Sequence, residues 1–359
     1  MTKLVLLPAL ALFLLPSCDP RSKDDDGGST PVVTSTEGGG DELIGGIFSP
    51  AAGEKYRRDT VLQWMEDLRG EDRTAAFVAL NRIGEYEQDA SPAVPLIVQR
   101  LQSPESDQQM QNQALRALGR IGGEDARVAL VAAMRDAERI QADLAADAIG
   151  LHGDDAVPSL VPFLTESDPV LRVRGARALW AVMHKEGREA RLEGAVLPIA
   201  RLLDDADPEA SEWALRIMLE LEGRAAPALD YLVQRLEQDK SVGNRRRLVL
   251  LIGLMGEHAS GAADAMRAAI APDDMMGQCV LGVSLARVGE VADGVARLER
   301  GLVEGENDIK VQAAGYLRMV GPPAASAVPK LRDALQGSND DLRRMIEGAL
   351  SAIEGDKKK

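Results

Sequence analysis

Similar apolar phrases recur along the chain, and each has a proline near its start. They are AVPLIVQRL from Ala93, AVPSLVPFL from Ala156, AVLPIARLL from Ala195, AAPALDYLVQRL from Ala225 and AVPKLRDAL from Ala327. A proline in the first turn of a helix loses no hydrogen bond, because the amide it lacks would be unpaired there anyway. The phrases therefore predict amphipathic α-helices that form the first half of a repeated unit.

A second apolar phrase follows each of these helices and usually closes on a glycine. The closing positions are residues 84, 122, 150, 183, 222, 256, 289, 321 and 355, so successive positions lie 28 to 39 residues apart. Apolar residues recur one and four positions before each closing residue, and mostly small residues such as Ala114 and Ala214 stand eight before it. These spacings place one face of a second helix against its neighbours. About nine antiparallel helix pairs are predicted from Leu62 onward.

Polar residues mark the ends of the predicted second helices. Arg or another polar residue stands eleven positions before most closing residues, and Asp107, Asp168, Asp207, Ser241, Asp274 and Asp340 stand four positions earlier. Side chains of this kind accept the first free amides of a helix. The last pair carries Glu347, Ser351 and Glu354 where the other pairs are apolar or small. A polar outer face is typical of a terminal repeat that no further repeat covers.

The stretch Asp168-Pro169-Val170-Leu171-Arg172, followed by Ala176 and Leu179, resembles a HEAT repeat. The resemblance extends from Leu62 to Ile353. It implies an all-α fold, a right-handed α-solenoid of about nine antiparallel helix pairs over residues 47–355, with a short basic tail at 356–359. It also implies that the Asp and Arg columns form a hydrogen-bonded ladder between neighbouring repeats.

The N-terminus has the features of an export signal. Lys3 precedes an apolar run from Leu4 to Leu15, which is too short to span a bilayer comfortably. The tetrad Leu15-Pro16-Ser17-Cys18 resembles the lipobox of bacterial lipoproteins. This resemblance implies a signal peptide over 1–17, a lipid on Cys18, and a lipid-anchored protein of the bacterial cell envelope, in either the inner or the outer membrane. A plain secretory signal is the alternative.

Residues 18–46 are rich in Gly, Asp, Ser and Thr and show no apolar periodicity. Such a segment buries too little apolar surface to fold, so it is predicted to be a tether. A flexible coil of roughly 30 residues has an end-to-end distance of about 30 Å. The folded part is therefore expected to stand off the membrane.

Composition excludes several classes of function. The 359 residues carry a net charge of −15 and only 3% aromatic side chains, which argues against nucleic-acid binding through phosphates or stacked bases. Cys18 and Cys279 are the only cysteines, so neither a disulfide framework nor a cysteine-rich zinc site is expected.

Candidate catalytic and metal-binding residues are isolated in the sequence. His152, His184 and His258 stand alone in predicted turns between repeats, where a surface role is expected. Cys279 lies among apolar residues of a second helix, where a buried, unreactive thiol is expected. No catalytic constellation, metal site or cofactor is predicted, and the chain is not expected to be an enzyme.

The concave side of a helix-pair solenoid is lined by second helices, whose outward residues meet ligands. These residues lie nine, six and two positions before each closing residue. They form a predicted basic stripe of Arg116, Arg120, Arg174, Arg177, Trp213, Arg216 and Arg247, accompanied by Leu250 and Leu254. Arg with Trp is typical of an interface hot spot for a partner that carries carboxylates or phosphates. The alternative is that these arginines pair with acids of adjacent helices.

Three functions compete on this evidence. The first is a membrane-tethered scaffold that binds unknown envelope proteins. The second is an enzyme-associated role, since some HEAT-like families resemble the phycobilisome lyases. The third is a HEAT-like nucleic-acid-binding module, which the net charge and the export signal both oppose.

Overall fold

The computed structural model describes residues 50–136, 139–185, 191–192 and 194–355. Every regular element in these residues is helical, and the α-helices form nine successive pairs. The predicted all-α solenoid is thereby confirmed. The predicted signal peptide, the tether, Cys18 and the basic tail lie outside the described residues. Within the described part, no helix is both long and apolar enough to cross a membrane.

The chain divides into two compact units between Leu192 and Glu193. The first unit holds four pairs: α1 (Pro50–Arg69) with α2 (Arg73–Ile83), α3 (Val94–Gln102) with α4 (Gln108–Ile121), α5 (Gly123–Asp136) with α6 (Arg139–Gly150), and α7 (Val157–Leu160) with α8 (Pro169–Met183). In this unit, each second helix packs on the next, from α2 through α4 and α6 to α8.

The second unit holds five pairs. They are α9 (Val196–Arg201) with α10 (Pro208–Leu221), α11 (Leu229–Gln238) with α12 (Val242–Leu254), α13 (Ala263–Ala269) with α14 (Met275–Arg287), α15 (Val291–Glu304) with α16 (Asn307–Val320), and α17 (Val328–Ala334) with α18 (Asp340–Glu354). The second helices α10 to α18 again form one continuous layer. Each pair thus buries its apolar face against its neighbours rather than in one central core.

Short polar side chains begin the second helices, as the sequence predicted. The side chains of Asp72, Asp107, Asp168, Asp207, Ser241 and Asp274 each accept a hydrogen bond from a backbone amide of the first turn. The last pair differs by one residue, because Asn339 rather than Asp340 is the cap and accepts from the Leu342 amide at 2.9 Å. These caps satisfy amides that the helix itself leaves unpaired.

A residue with positive φ follows eight of the nine second helices within four residues, the exception among the described residues being α8, where His184 has φ −93°, and this corrects two of the predicted closing positions. Gly84 is helical, with φ −64°, whereas Glu87 has φ 47°; the third pair likewise turns at Gly153, with φ 62°, rather than at Gly150. With Glu87, the interval from cap to turn is 15 residues in six pairs: 72 to 87, 107 to 122, 207 to 222, 241 to 256, 274 to 289 and 306 to 321. The turn geometry is therefore more regular than the glycines alone indicate.

A short 3₁₀ segment joins several of these turns to the next first helix. In four of the segments, two alanines are buried three residues apart: Ala90 and Ala93, Ala225 and Ala228, Ala259 and Ala262, and Ala324 and Ala327. Residues three apart eclipse one another on a 3₁₀ helix, so both alanines face the same neighbour. The small side chains allow the segment to approach the helix layer closely.

Candidate partner-binding face

The outward side chains of the second helices form the second-helix face, which is described here separately for each unit. These side chains lie nine, six and two residues before each turn residue. In α4 of the first unit this rule selects Arg116 and Arg120, and both are exposed. No salt bridge or hydrogen bond joins either guanidinium to another described residue. These two arginines lie four residues apart, so they project from the same side of the helix.

The other two arginines of the predicted stripe in the first unit bind groups within that unit. Arg174 is only 7% exposed, and its Nη1 donates to the Met134 carbonyl oxygen at 2.8 Å. Arg177 pairs with Asp143 at 2.9 Å and with Asp147 at 2.8 Å, and these bonds raise its pKa above the usual value. Arg177 thus matches the alternative that the sequence left open, pairing with acids of an adjacent helix, whereas Arg174 is buried and binds a backbone oxygen.

In the second unit the predicted stripe residues are also engaged. Arg216 stacks over the ring of Trp213, 5.0 Å from its centroid, and pairs with Glu212. Arg247 is half-buried and has an interaction partner. Leu250 and Leu254 were predicted to face outward, but they are 1% and 5% exposed. That prediction is wrong, because α12 is enclosed on every side: all residues from Leu248 to Leu254 are buried.

In the second unit, ion pairs join neighbouring repeats. Arg246 on α12 donates through Nε to Asp274 Oδ2 at 2.9 Å, and that carboxylate also caps α14. Arg267 pairs with Asp293 at 3.0 Å, and Arg297 pairs with the same carboxylate at 2.8 Å. The pairs shield carboxylates that are only partly exposed.

The arginines of the predicted Arg column bond both to their own helix pair and to the neighbouring repeat. Arg172 Nη1 donates to the backbone oxygens of Glu166 and Ser167 at 2.8 and 3.0 Å, and Arg245 Nε donates to the Asp239 oxygen at 2.6 Å. Both arginines therefore brace the loop of their own pair, and Arg245 also reaches the next repeat, where its Nη1 donates to the Ala269 oxygen at 3.4 Å. Arg73 pairs with Asp107 of the next repeat, as the resemblance implies. The Arg column was defined by the position eleven residues before each turn. With the turn corrected to Glu87, that position holds Ala76 and no longer Arg73.

In the first unit, Arg73 pairs with Asp107 and Arg135 pairs with Glu166 between neighbouring repeats, and a cleft opens beside the start of α4. Gln111 and Gln141 hydrogen-bond to each other across neighbouring second helices. Beside them a cleft of about 260 Å³ opens between α3, α4, α5 and α6, lined mainly by Leu101, Leu115 and the small residues Ala129, Ala132 and Ala133. The small side chains of α5 leave this space unfilled.

His152 and Cys279 are buried, whereas the other two histidines are exposed. His152 was predicted to be a surface residue, but it is buried, and its Nε2 lies 3.2 Å from the Leu118 oxygen. Burial lowers its pKa from the usual 6.5. His184 and His258 are exposed. Cys279 is buried as predicted, and burial raises the pKa of its thiol to about 12. In the described part of the chain, no three His, Cys, Asp or Glu side chains are grouped so that they could hold a metal ion.

Comparison with known proteins agrees with this architecture. The family model of the PBS lyase HEAT-like repeat matches residues 110–136, which cover most of α4 and all of α5. A triple-substituted form of Kap121p has a similar structure, with a TM-score of 0.52 and 13% identity over 85% of this chain. The chain covers 37% of that protein's length.

The chain contains a HEAT-like repeat within an all-α solenoid fold. Two other solved structures, human deoxyhypusine hydroxylase in complex with glycerol and an engineered protein, match the chain at 20% identity over 73% of its length and 96% of theirs. Their TM-scores are 0.31 and 0.33. No curated protein matches the sequence.

The HEAT-repeat register identifies residues that the sequence reading missed. With turns at Glu87 and Gly153, the second-helix face of the first unit also includes Val78, Asp147 and Leu151. Val78 and Leu151 are 42% and 44% exposed. The signal was present in the sequence, since buried Ala90 and Ala156 stand three residues after the true turns, as Ala225 and Ala259 do elsewhere.

Proposed function

We propose that this protein is a membrane-tethered scaffold of the bacterial cell envelope that binds a partner protein on the second-helix face of its first unit. The observation that carries the proposal is the exposed pair Arg116 and Arg120, which has no ion-pair partner among the described residues. The chain has a net charge of −15, whereas these two positive charges lie on one face of one helix. Arginines in such a position are typical of interface hot spots.

Apolar side chains on the same face support a protein partner over a small anion. Val78 and Leu151 belong to the same face positions as the two arginines and are substantially exposed. A partner segment with carboxylates and apolar side chains would match this mixture of charge and apolar surface. The membrane attachment rests on the lipobox resemblance at Cys18.

Partner capture from an envelope extract tests the proposal. The double variant Arg116→Glu and Arg120→Glu is expected to lose the captured proteins, because it reverses the charge of the face. Its thermal midpoint should stay close to that of the native protein, since neither guanidinium has a hydrogen bond or an ion pair with a described residue. Arg174 and Arg177 are unsuitable for this test because they bind backbone and carboxylate groups inside the first unit.

A matched control removes two positive charges elsewhere. Arg201 and Arg343 are also exposed, and the variant Arg201→Glu and Arg343→Glu should capture the same proteins as the native chain. Equal capture by the Arg116/Arg120 variant and the native chain would refute the proposed face. In the same cells, Cys18→Ser should move the protein from the membrane to the soluble fraction.

The enzyme-associated alternative rests on the name of the matched family model, whose repeat is described from a lyase. It would require a bound chromophore or a reactive side chain in a pocket. Visible absorbance in the protein purified from its natural source would favour it over the scaffold.

A further inference from the structure

We propose that the cleft between α3, α4, α5 and α6 binds one apolar side chain of a partner protein together with the uncharged peptide group beside it. Neither Arg116 nor Arg120 lines this cleft, so the site is separate from the proposed arginine face. It shares with the proposed function only the premise that the partner is a protein. The expected ligand is an extended, uncharged segment that presents a leucine or a side chain of similar size.

A leucine of the repeat remains partly uncovered at the cleft. Each recurring phrase of the first helices ends in a leucine, and these leucines are 2% exposed at Leu164 and 1% exposed at Leu236. Leu101, which lines the cleft, is only half-buried, although its pair has a helix pair on either side within the first unit. Leu203 and Leu335 are half-buried too, but they lie in the first and last pairs of the second unit. The cleft therefore leaves apolar surface in contact with water inside a row of repeats.

Short side chains on α5 create the opening. Ala129, Ala132 and Ala133 line it, and Leu115 of α4, which is 0% exposed, lies at its base. The volume of about 260 Å³ is smaller than that of most pockets for drug-sized ligands, which begin at roughly 300 Å³. The cleft therefore suits one side chain and its peptide group rather than a whole cofactor.

Two glutamines give the cleft a free donor and a free acceptor. Gln141 Nε2 donates to Gln111 Oε1, and no other described residue bonds to Gln111 Nε2 or to Gln141 Oε1. If both amides were turned over, their roles would be exchanged and one donor and one acceptor would again be free. A peptide group carries one N–H donor and one C=O acceptor, so it can bond to both glutamines.

The charge of the lining selects against ions. None of the described residues that line the cleft is charged. A carboxylate or phosphate placed there would lose water without gaining a cation, and the net charge of −15 would repel it. An apolar side chain loses no such hydration, and the two glutamines replace the water bound to its peptide group.

An NMR titration of the full-length chain with blocked amino acids tests the site. The probe is N-acetyl-leucine N-methylamide, which carries a leucine side chain between two peptide groups. It should shift the side-chain amide signals of Gln111 and Gln141 and the methyl signals of Ala129 and Ala133. A dissociation constant of about 1 mM is expected for so small a ligand.

Two further probes separate the apolar and polar requirements. N-acetyl-glycine N-methylamide lacks the leucine side chain, and N-acetyl-leucine has a carboxylate in place of the second peptide group. Each should bind at least about tenfold more weakly than the leucine probe, the first because it buries less apolar surface and the second because its charge is not compensated.

Filling the cleft should abolish binding. Ala132→Leu places an isobutyl group of the protein itself in the opening, so the leucine probe should no longer shift the remaining lining signals. The thermal midpoint of this variant should not fall, since the added group enters unfilled space. Ala268→Leu is the matched control, because Ala268 is an exposed alanine on the first helix α13, and its dissociation constant should equal that of the native chain.

Replacing both glutamines tests the polar contacts. Gln111→Met/Gln141→Met keeps the side-chain volume but removes both amides, and binding read from the alanine methyl signals should weaken about tenfold. Gln113→Met, also on α4 but outside the lining, should bind the probe as the native chain does. Equal affinity for all three probes, or native affinity in Ala132→Leu, would overturn the proposal.

Capture from an envelope extract separates this site from the proposed face. If no probe binds but Arg116→Glu/Arg120→Glu still loses the captured proteins, the cleft is wrong and the arginine face stands. If the leucine probe binds as expected but the arginine variant captures as the native chain does, the face is wrong and the cleft stands.

Discussion

Second helices of the two units can be surrounded differently, as α12 and α14 of the second unit and α4 of the first unit show. In the second unit, α14 is buried continuously from Gly277 to Leu285, and α12 from Leu248 to Leu254. In the first unit, α4 alternates buried residues with the exposed Arg116 and Arg120. The repeat therefore tolerates either an enclosed or an open second helix, and only the open one leaves a charged face for a partner.

The carboxylates that cap second helices are also compared between the units: Asp274 in the second unit is more buried than Asp107 in the first. In the second unit, Asp274 is bonded by Arg246 and by the Gly277 amide, and its side chain is 10% exposed. In the first unit, the cap Asp107 is 43% exposed and pairs with Arg73. A buried, bonded carboxylate contributes more than an exposed one, because its removal leaves Arg246 without its partner in a poorly solvated place. The cap carboxylate Asp107 is therefore expected to contribute less to the stability of the first unit than Asp274 contributes to that of the second.

The largest expected effect comes from removing these two caps. Asp274→Ala should lower the free energy of unfolding of the second unit by about 3 kcal/mol, since it breaks a largely buried ion pair. Asp107→Ala should cost the first unit about 1 kcal/mol, the usual value for a lost cap. Urea-dependent hydrogen exchange of peptides from α4 and α14 measures each unit separately. Equal losses in the two variants would show that the edges do not differ.

A smaller and opposite effect is expected at the turns. Glu87 and Glu222 have φ 47° and 48°, a region that costs a residue with a side chain about 1 to 3 kcal/mol. Glu87→Gly should stabilise the first unit by about 1 kcal/mol after allowance for the flexibility of glycine in the unfolded chain. Glu222→Gly should gain less, because the Glu222 carboxylate lies 3.8 Å from Arg287 in the second unit.

Thermal or urea midpoints of the two turn variants check this order. Glu85→Gly is the matched control, since it introduces glycine two residues away without relieving a positive φ. Destabilisation by Glu87→Gly would contradict the corrected turn position.

The smallest effect is a difference in pH response between the units. Burial lowers the pKa of His152 in the first unit, so below its usual 6.5 the unfolded chain takes up the proton more readily than the folded chain. The stability of the first unit should therefore fall as the pH drops from 7 to 5.

Burial opposes ionisation of Asp274 in the second unit, but the bonds from Arg246 and Gly277 outweigh it and lower its pKa below 3.8. That contribution to the second unit persists above pH 3.8 and is lost at lower pH.

Thermal midpoints at pH 7 and pH 5 of the native chain, His152→Gln and His258→Gln check this response. The shift between the two pH values should shrink in His152→Gln and remain in His258→Gln, whose side chain is exposed. An undiminished shift in His152→Gln would assign the pH response to other groups.

The helix pairs could be predicted from the sequence because their signals are local. The cap residues Asp107 and Asp207 and the prolines of the first helices act within one turn, so their positions were found correctly. The turns at Glu87 and Gly153 were missed because glycine was taken as the marker, whereas a glutamate can also be held at positive φ by its surroundings. Burial of His152 could not be read from a turn sequence, since the Leu118 oxygen that it contacts lies 34 residues away.

The sequence by itself determined the repeat, its helical period and the residues that begin each second helix, because spacing and capping act between residues close together in the chain. Only the tertiary structure decided which outward side chains stay exposed. Arg116 and Arg177 have the same position in their helices, yet one is unpaired in the described part of the chain and the other is bound by Asp143 and Asp147. That choice depends on the residues of the adjacent repeat, and it separates a candidate binding residue from a structural one.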